Sequence, residues 1–218
     1  MAKRLGLYFL GILILGFGIV LNTKTGLGVA AINSVPFGIS EMTNLSLGMA
    51  TTILYIIFVG VQLLIYQKLD FKVLLQIPFS YFMGYVLDFY NNLLNFTVTS
   101  LPVALVLLPV ALVLLAIAIL ATALGAYVVV TLDLIPNPAD GMVKALSQVI
   151  DKEFGKTKLL FDCGMMLVTI ITTYCLAGKI IGIGIGTILS AGFIGQIIVI
   201  YNRYFTKHLT LIVENSRA

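Results

Sequence analysis

Apolar residues run along this chain in stretches of about 20, the length of helix that crosses a hydrocarbon layer roughly 30 Å thick. Six such stretches lie at roughly residues 5–22, 48–66, 72–92, 103–130, 159–177 and 182–203. The pattern predicts an all-α integral membrane protein with six transmembrane helices. The fourth stretch is long enough to tilt, with Pro102 and Pro109 at an interfacial start or a kink.

Two long connectors, residues 22–47 and 131–158, interrupt the spans. In the second, Ile135-Pro136-Asn137-Pro138-Ala139-Asp140-Gly141 precedes Met142, Leu146, Val149, Ile150 and Phe154 at three- and four-residue spacing. Lys144, Gln148, Asp151 and Lys152 fall between them, which predicts an amphipathic helix near 138–154. Asn137 is its expected N-cap and Pro138 its first helical residue. The matching run of the first connector, Ala31 to Gly38, has few charges and is expected to dip back into the membrane. Irregular backbone at that depth survives only where it is buried or lines a wet cavity.

Of the 218 residues, 60% are hydrophobic and 10% charged, and mean hydropathy is +1.10. A soluble domain carries about 25% charged residues, so no separate soluble catalytic domain fits. Nucleic-acid binding is excluded because the net charge of +4 is spread over connectors and forms no patch. Met1 to Arg4 followed by Leu5 to Leu21 imitates a secretory signal. Its apolar run is too long for one and no small-x-small cleavage site comes after it, so a retained helix is expected.

Basic residues near span ends stay on the cytoplasmic side. With the N-terminus inside, that side holds Lys3, Arg4, Lys68, Lys72, Lys144, Lys152, Lys156, Lys158, Arg203, Lys207 and Arg217, eleven in all. The outside holds two, Lys24 and Lys179. Both termini are therefore expected in the cytoplasm, with the uncharged run from Asn91 to Ser100 outside.

Sliding the chain against itself aligns its halves at an ungapped offset of 107. Gly18 then meets Gly125, Asn33 meets Asp140, Ser40 meets Ser147 and Gly48 meets Gly155. Lys72 meets Lys179, Ser80 meets Thr187 and Gly84 meets Ala191. Three spans per half is an odd number, so a true repeat inserts its halves in opposite orientations about an axis in the membrane plane. The expected division is residues 1–102 as the first three-helix repeat, 103–204 as the second, inverted one, and 205–218 as a cytoplasmic tail.

Asn33 and Asp140 are the leading candidates for substrate binding, at matched positions beside two helix starts whose free N–H groups attract anions and dipoles. Both residues serve equally well as caps. Ser80 and Thr187 are candidate hydroxyls for the same site. Asp88 and Asp162 are candidates for proton coupling, since ionisable residues in a span are costly and tend to mark substrate or proton paths. A cap for Asp88, and an i,i+4 ion pair from Lys158 to Asp162, account for them as well. Gly182-Ile-Gly184-Ile-Gly186-Thr187 lacks the strand and the Lys-Ser/Thr of a phosphate loop, and its small residues suit close helix packing or an unwound, substrate-facing start. Asn137-Pro138-Ala139 lacks the second copy a water channel requires. His208 stands alone and Cys163 and Cys175 lie twelve apart, so no metal site, cofactor or catalytic set is expected.

Gly26-Leu-Gly28, Asn33-Ser-Val-Pro36, Asn137-Pro-Ala-Asp-Gly141, Lys158-Leu-Leu-Phe-Asp162 and Gly182-Ile-Gly-Ile-Gly-Thr187 together resemble the bacterial YczE/YyaS/YitT-like membrane proteins. The resemblance implies a multi-span protein of the bacterial cytoplasmic membrane and brings no substrate or reaction. The function expected is a small transporter or permease, proton coupling included, for a small molecule or ion. The alternative is a substrate-binding or accessory subunit of a larger uptake complex with an energy-coupling partner. The bilayer is the expected environment, homo-oligomers are compatible, and an enzyme is not expected.

Overall fold

Nine helices account for the regular structure of residues 2–96 and 101–214, which the computed structural model describes. They are α1 (Ala2–Lys24), α2 (Ala31–Met42), α3 (Leu47–Tyr66), α4 (Phe71–Leu74), α5 (Gln76–Leu93), α6 (Leu101–Leu132), α7 (Pro138–Val149), α8 (Phe154–Ala177) and α9 (Ile185–Glu214). Among the described residues, five segments are long and apolar enough to cross a membrane: Lys3–Lys24, Leu47–Tyr66, Leu108–Leu132, Phe154–Ala177 and Ile185–Phe205. That composition is the signature of an integral membrane protein.

The boundaries differ from the hydropathy pattern where polar chemistry intervenes. The third stretch breaks at Leu75, because the Asp70 carboxylate accepts from Lys72 N–H at 2.8 Å and starts a separate turn, α4. Beyond the break, α5 carries Gln76, Asp88, Asn91 and Asn92 in 18 residues and is less apolar than the five spans. The last stretch becomes helical only at Ile185, after Gly182 has turned the chain at φ 82°. Beyond residue 204 the expected tail is still helix as far as Glu214, since Leu209 to Val213 contains no glycine or proline to stop it. In the connector between the halves, residues 97–100 lie outside the described ones, as do 215–218 of the tail.

The order of elements repeats as a long helix, a short one and two long ones: α1, α2, α3, α5, then α6, α7, α8, α9. The largest helix contact joins α1 to α6, and it is antiparallel. A Cβ on Gly18 would meet the Thr122 backbone at 2.5 Å, and one on Gly125 would meet Leu15 Cα at 2.6 Å. Bare glycines are what let the two backbones approach. Arg4 fastens the far end by donating from Nε (3.2 Å) and Nη2 (2.5 Å) to the Leu132 carbonyl, and the Tyr8 hydroxyl donates to Ile135 O at 2.7 Å.

Each short helix packs on the other half of the chain, α2 on α8 and α7 on α3. Ser34 Oγ lies 2.6 Å from Thr169 Oγ1 across the first contact. Across the second, Gln62 Nε2 of α3 donates to Pro138 O at 3.2 Å, and the same side chain exchanges two 3.0 Å hydrogen bonds with Gln76 of α5. A Cβ on Gly141 would strike Gln62 Oε1 at 2.6 Å, so a side chain here would push the Gln62 amide out of its exchange with Gln76. The loops before α2 and α9 are joined by main-chain bonds, Val29 N–H to Gly182 O (2.9 Å) and Gly186 N–H to Leu27 O (2.7 Å). Gly28, at φ 99° and pressed on Gly184, tolerates no side chain in this junction.

The halves are not equally closed. Against α3, α5 packs through Gly48 and Gly84, and a Cβ on Gly84 would overlap the Gly48 backbone. The corresponding pair, α8 and α9, barely touch, and Gly155 has open space around it.

Candidate functional site

A cavity of about 60 Å³ lies in the middle of the bundle where the first turns of α2 and α7 converge. Twelve of its eighteen lining residues form six pairs separated by 107 positions: Leu15 and Thr122, Ile19 and Ala126, Ala30 and Asn137, Ile32 and Ala139, Asn33 and Asp140, Tyr55 and Asp162. Asn33 and Asp140 occupy the same register, the third residue of their short helices. Ala31, Lys158 and a wall from α9 (Ser190, Ala191, Ile194, Ile198) complete the lining, and α5 contributes nothing to match α9.

Buried polar atoms are nearly always hydrogen-bonded, so exceptions need a cause. Among the described residues, four of the six unpartnered buried side-chain atoms belong to residues on this cavity: Asn33 Oδ1, Tyr55 Oη, Thr122 Oγ1 and Asp162 Oδ1. Asn33 and Asp162 are each 3% exposed, Thr122 7% and Tyr55 0%. The Tyr55 hydroxyl faces the Asn137 side chain without meeting hydrogen-bond geometry.

The cap at the start of α7 is Asn137, whose side chain accepts from Ala139 N–H at 3.2 Å. Asp140 therefore does not serve as the cap, and among the described residues nothing donates a hydrogen bond to its carboxylate. Enclosed by protein yet open to the cavity, it has its pKa raised above the usual carboxylate value by burial, with the Lys158 ammonium pulling the other way. Helix α2 starts at Ala30 with no side-chain cap at all, which leaves its first N–H groups beside the cavity. Asp162 Oδ2 pairs with Lys158 Nζ at 3.6 Å, the i,i+4 pair expected from the spacing, with the carboxylate buried and the ammonium half-buried.

The other candidates lie elsewhere. Ser80 Oγ donates to Gln76 O at 2.7 Å within α5. Thr187 Oγ1 accepts from Gly184 N–H at 3.1 Å and donates to Gly182 O at 3.2 Å, closing the turn before α9. Neither hydroxyl reaches the cavity, because neighbouring backbone groups engage both. Asp88 reaches from α5 to the start of α3, accepting from Ser46 Oγ at 2.6 Å and Gly48 N–H at 2.7 Å. It is the clamp of a helix start. Conversely, Tyr55, Thr122 and Ser190 join the cavity although no motif marks them for it, and Lys158 lines it besides pairing with Asp162. The offset that pairs Asn33 with Asp140 also pairs Tyr55 with Asp162, and was the available signal. Among the described residues, no three His, Cys, Asp or Glu side chains are grouped to hold a metal ion.

Fold and site together define an all-helical membrane protein with a small cavity inside the bundle, walled mostly by apolar side chains and carrying three ionisable ones, Asp140, Lys158 and Asp162. The chain belongs to a family of unknown function, DUF6198, which it matches over residues 2–203. No curated protein and no solved structure matches it.

Proposed function

We propose that this protein is a small transporter or permease of a bacterial cytoplasmic membrane, built from two inverted three-helix halves that share one solute site on the axis between them. The observation that carries this reading is the cavity, lined by six mated residue pairs and by buried polar atoms that lack partners. Secondary transporters place their sites where inverted halves meet near the bilayer midplane, at the N-termini of interrupted helices. The first turns of α2 and α7 lining one cavity support the same arrangement for this chain. An axis in the membrane plane relates antiparallel helices, and α1 and α6 are antiparallel. Gly18 against Thr122 becomes Gly125 against Leu15 under the offset of 107, and Ser34 against Thr169 becomes Gly141 against Gln62.

Helix α5 is the sixth span in this reading. Its 18 residues rise about 27 Å, nearly the hydrocarbon thickness. Gln76, Ser80 and Asp88 face α3 rather than lipid. Unequal seams, with α3 closed on α5 and α8 apart from α9, fit two halves caught in different conformations. Asp140 and Asp162 are the groups suited to exchange a proton. Reconstitution of the purified protein alone in liposomes tests the proposal: solute flux without any partner supports it, and activity only alongside an added ATPase replaces it with the accessory-subunit alternative.

A further inference from the structure

Beside two unpartnered hydroxyls and one ammonium, the cavity walls carry acceptor oxygens without donors and two carboxyl side chains. Asn33 Oδ1 and Asp162 Oδ1 are buried acceptors with no donor, and no donor reaches the Asp140 carboxylate among the described residues. The charged side chains lining the space are Asp140, Asp162 and Lys158, two anions against one cation. The N-termini of α2 and α7 each return about half a positive charge, but place no hydrogen-bond donor on these side-chain oxygens. Acceptors without donors are costly at this depth, so an occupant that brings several N–H groups and a positive charge supplies what the acidic walls lack. The wall already holds such a group, since the Lys158 ammonium sits 3.6 Å from Asp162. At about 60 Å³ the space takes a few water-sized groups, well short of the roughly 300–1,000 Å³ of sites for drug-sized organic ligands.

We propose that the axial cavity binds a small, hydrogen-bond-donating monocation, ammonium or methylammonium, between the mated pairs Asn33 with Asp140 and Tyr55 with Asp162. The four side chains present oxygens from both halves, and Lys158 is the tethered competitor that holds Asp162 when the site is empty. The inference deepens the transport reading and rests on it for biological purpose, whereas occupancy is measured without flux.

The test is thermal unfolding of the purified full chain in detergent at matched ionic strength. It uses ammonium, methylammonium, potassium and tetramethylammonium chlorides, and sodium formate as the anion arm. Ammonium and methylammonium are expected to raise Tm saturably, and tetramethylammonium, with no N–H and greater bulk, to have no effect. Asp140→Asn, whose helix start is still capped by Asn137, should weaken the apparent affinity by about ten- to a hundredfold, the effect of losing a charge-assisted hydrogen bond. Should that variant fail to fold, Asn33→Ala should weaken binding by about tenfold. Lys158→Gln frees Asp162, so it should lower Tm in the absence of ammonium and recover more on adding it than the unaltered chain does. No saturable shift with ammonium, an equal shift with potassium or formate, or undiminished affinity in the folded variants overturns the proposal. Methylammonium uptake into liposomes is read separately. Binding without uptake refutes transport and leaves the site standing, and uptake without binding does the reverse.

Discussion

Lys158 and Asp162 form a pair whose removal is asymmetric in its effect. Lys158→Ala leaves a buried carboxylate facing an ammonium that is gone, which is expected to cost about 3–5 kcal/mol. The double replacement Lys158→Ala with Asp162→Ala should recover much of that loss, and reversible unfolding in detergent distinguishes the two. Asp140 acts through pH. Its carboxyl holds its proton above the usual value of 3.8, so over the window above 3.8 the folded chain binds more protons than the unfolded one. Stability is therefore expected to fall as pH rises through that window, until Asp140 ionises in the fold as well. Asp140→Asn should flatten this part of the profile, while Asp162 and Lys158, the other charged groups on the cavity, are left in place. Asn137→Ala removes the cap itself and should cost about 1 kcal/mol with no change in the pH profile.

Between elements, a closed seam and an open one predict opposite responses to the same change. Gly48→Ala drives a methyl into the α5 backbone and should destabilise by about 1–3 kcal/mol, as overpacking does. Gly155→Ala, at the mated position, meets open space and should be neutral or slightly stabilising. Parallel melts of the two variants check this. Legibility in the sequence divides between elements in the same way. The start of α7 could be read because Asn137-Pro138 is a local start signal, whereas Ala30 before α2 signals nothing and only the repeat marks the place. Tyr55 and Thr122 were opaque because a hydroxyl in an apolar stretch has no signature of its own. Ser80 and Thr187 misled because a backbone carbonyl within a few residues engages each hydroxyl, which hydropathy does not reveal. The buried exchange of Gln62 with Gln76 brings together residues fourteen apart, and nothing local announced it.

Across the whole molecule, the eleven-to-two division of basic residues predicts that reporter domains fused after residue 96 and at the C-terminus lie on opposite sides of the membrane. Reporters on the same side would refute that topology. The halves are interlocked, because α2 finds its main partner in α8 and α7 finds its own in α3. Neither half can bury its short helix alone, so residues 1–96 and 97–218 made as separate chains should each be degraded singly and survive when made together. Interlocking also orders events during synthesis. When α2 leaves the ribosome, about 135 residues must be added before α8 can receive it, the separation of Ser34 from Thr169, which at roughly 5–20 residues per second is on the order of ten seconds. For that interval its uncapped N-terminus and Asn33 have no protein to cover them. The nascent chain must then be held by water or by the insertion machinery, and its yield should be unusually sensitive to how fast the second half is translated.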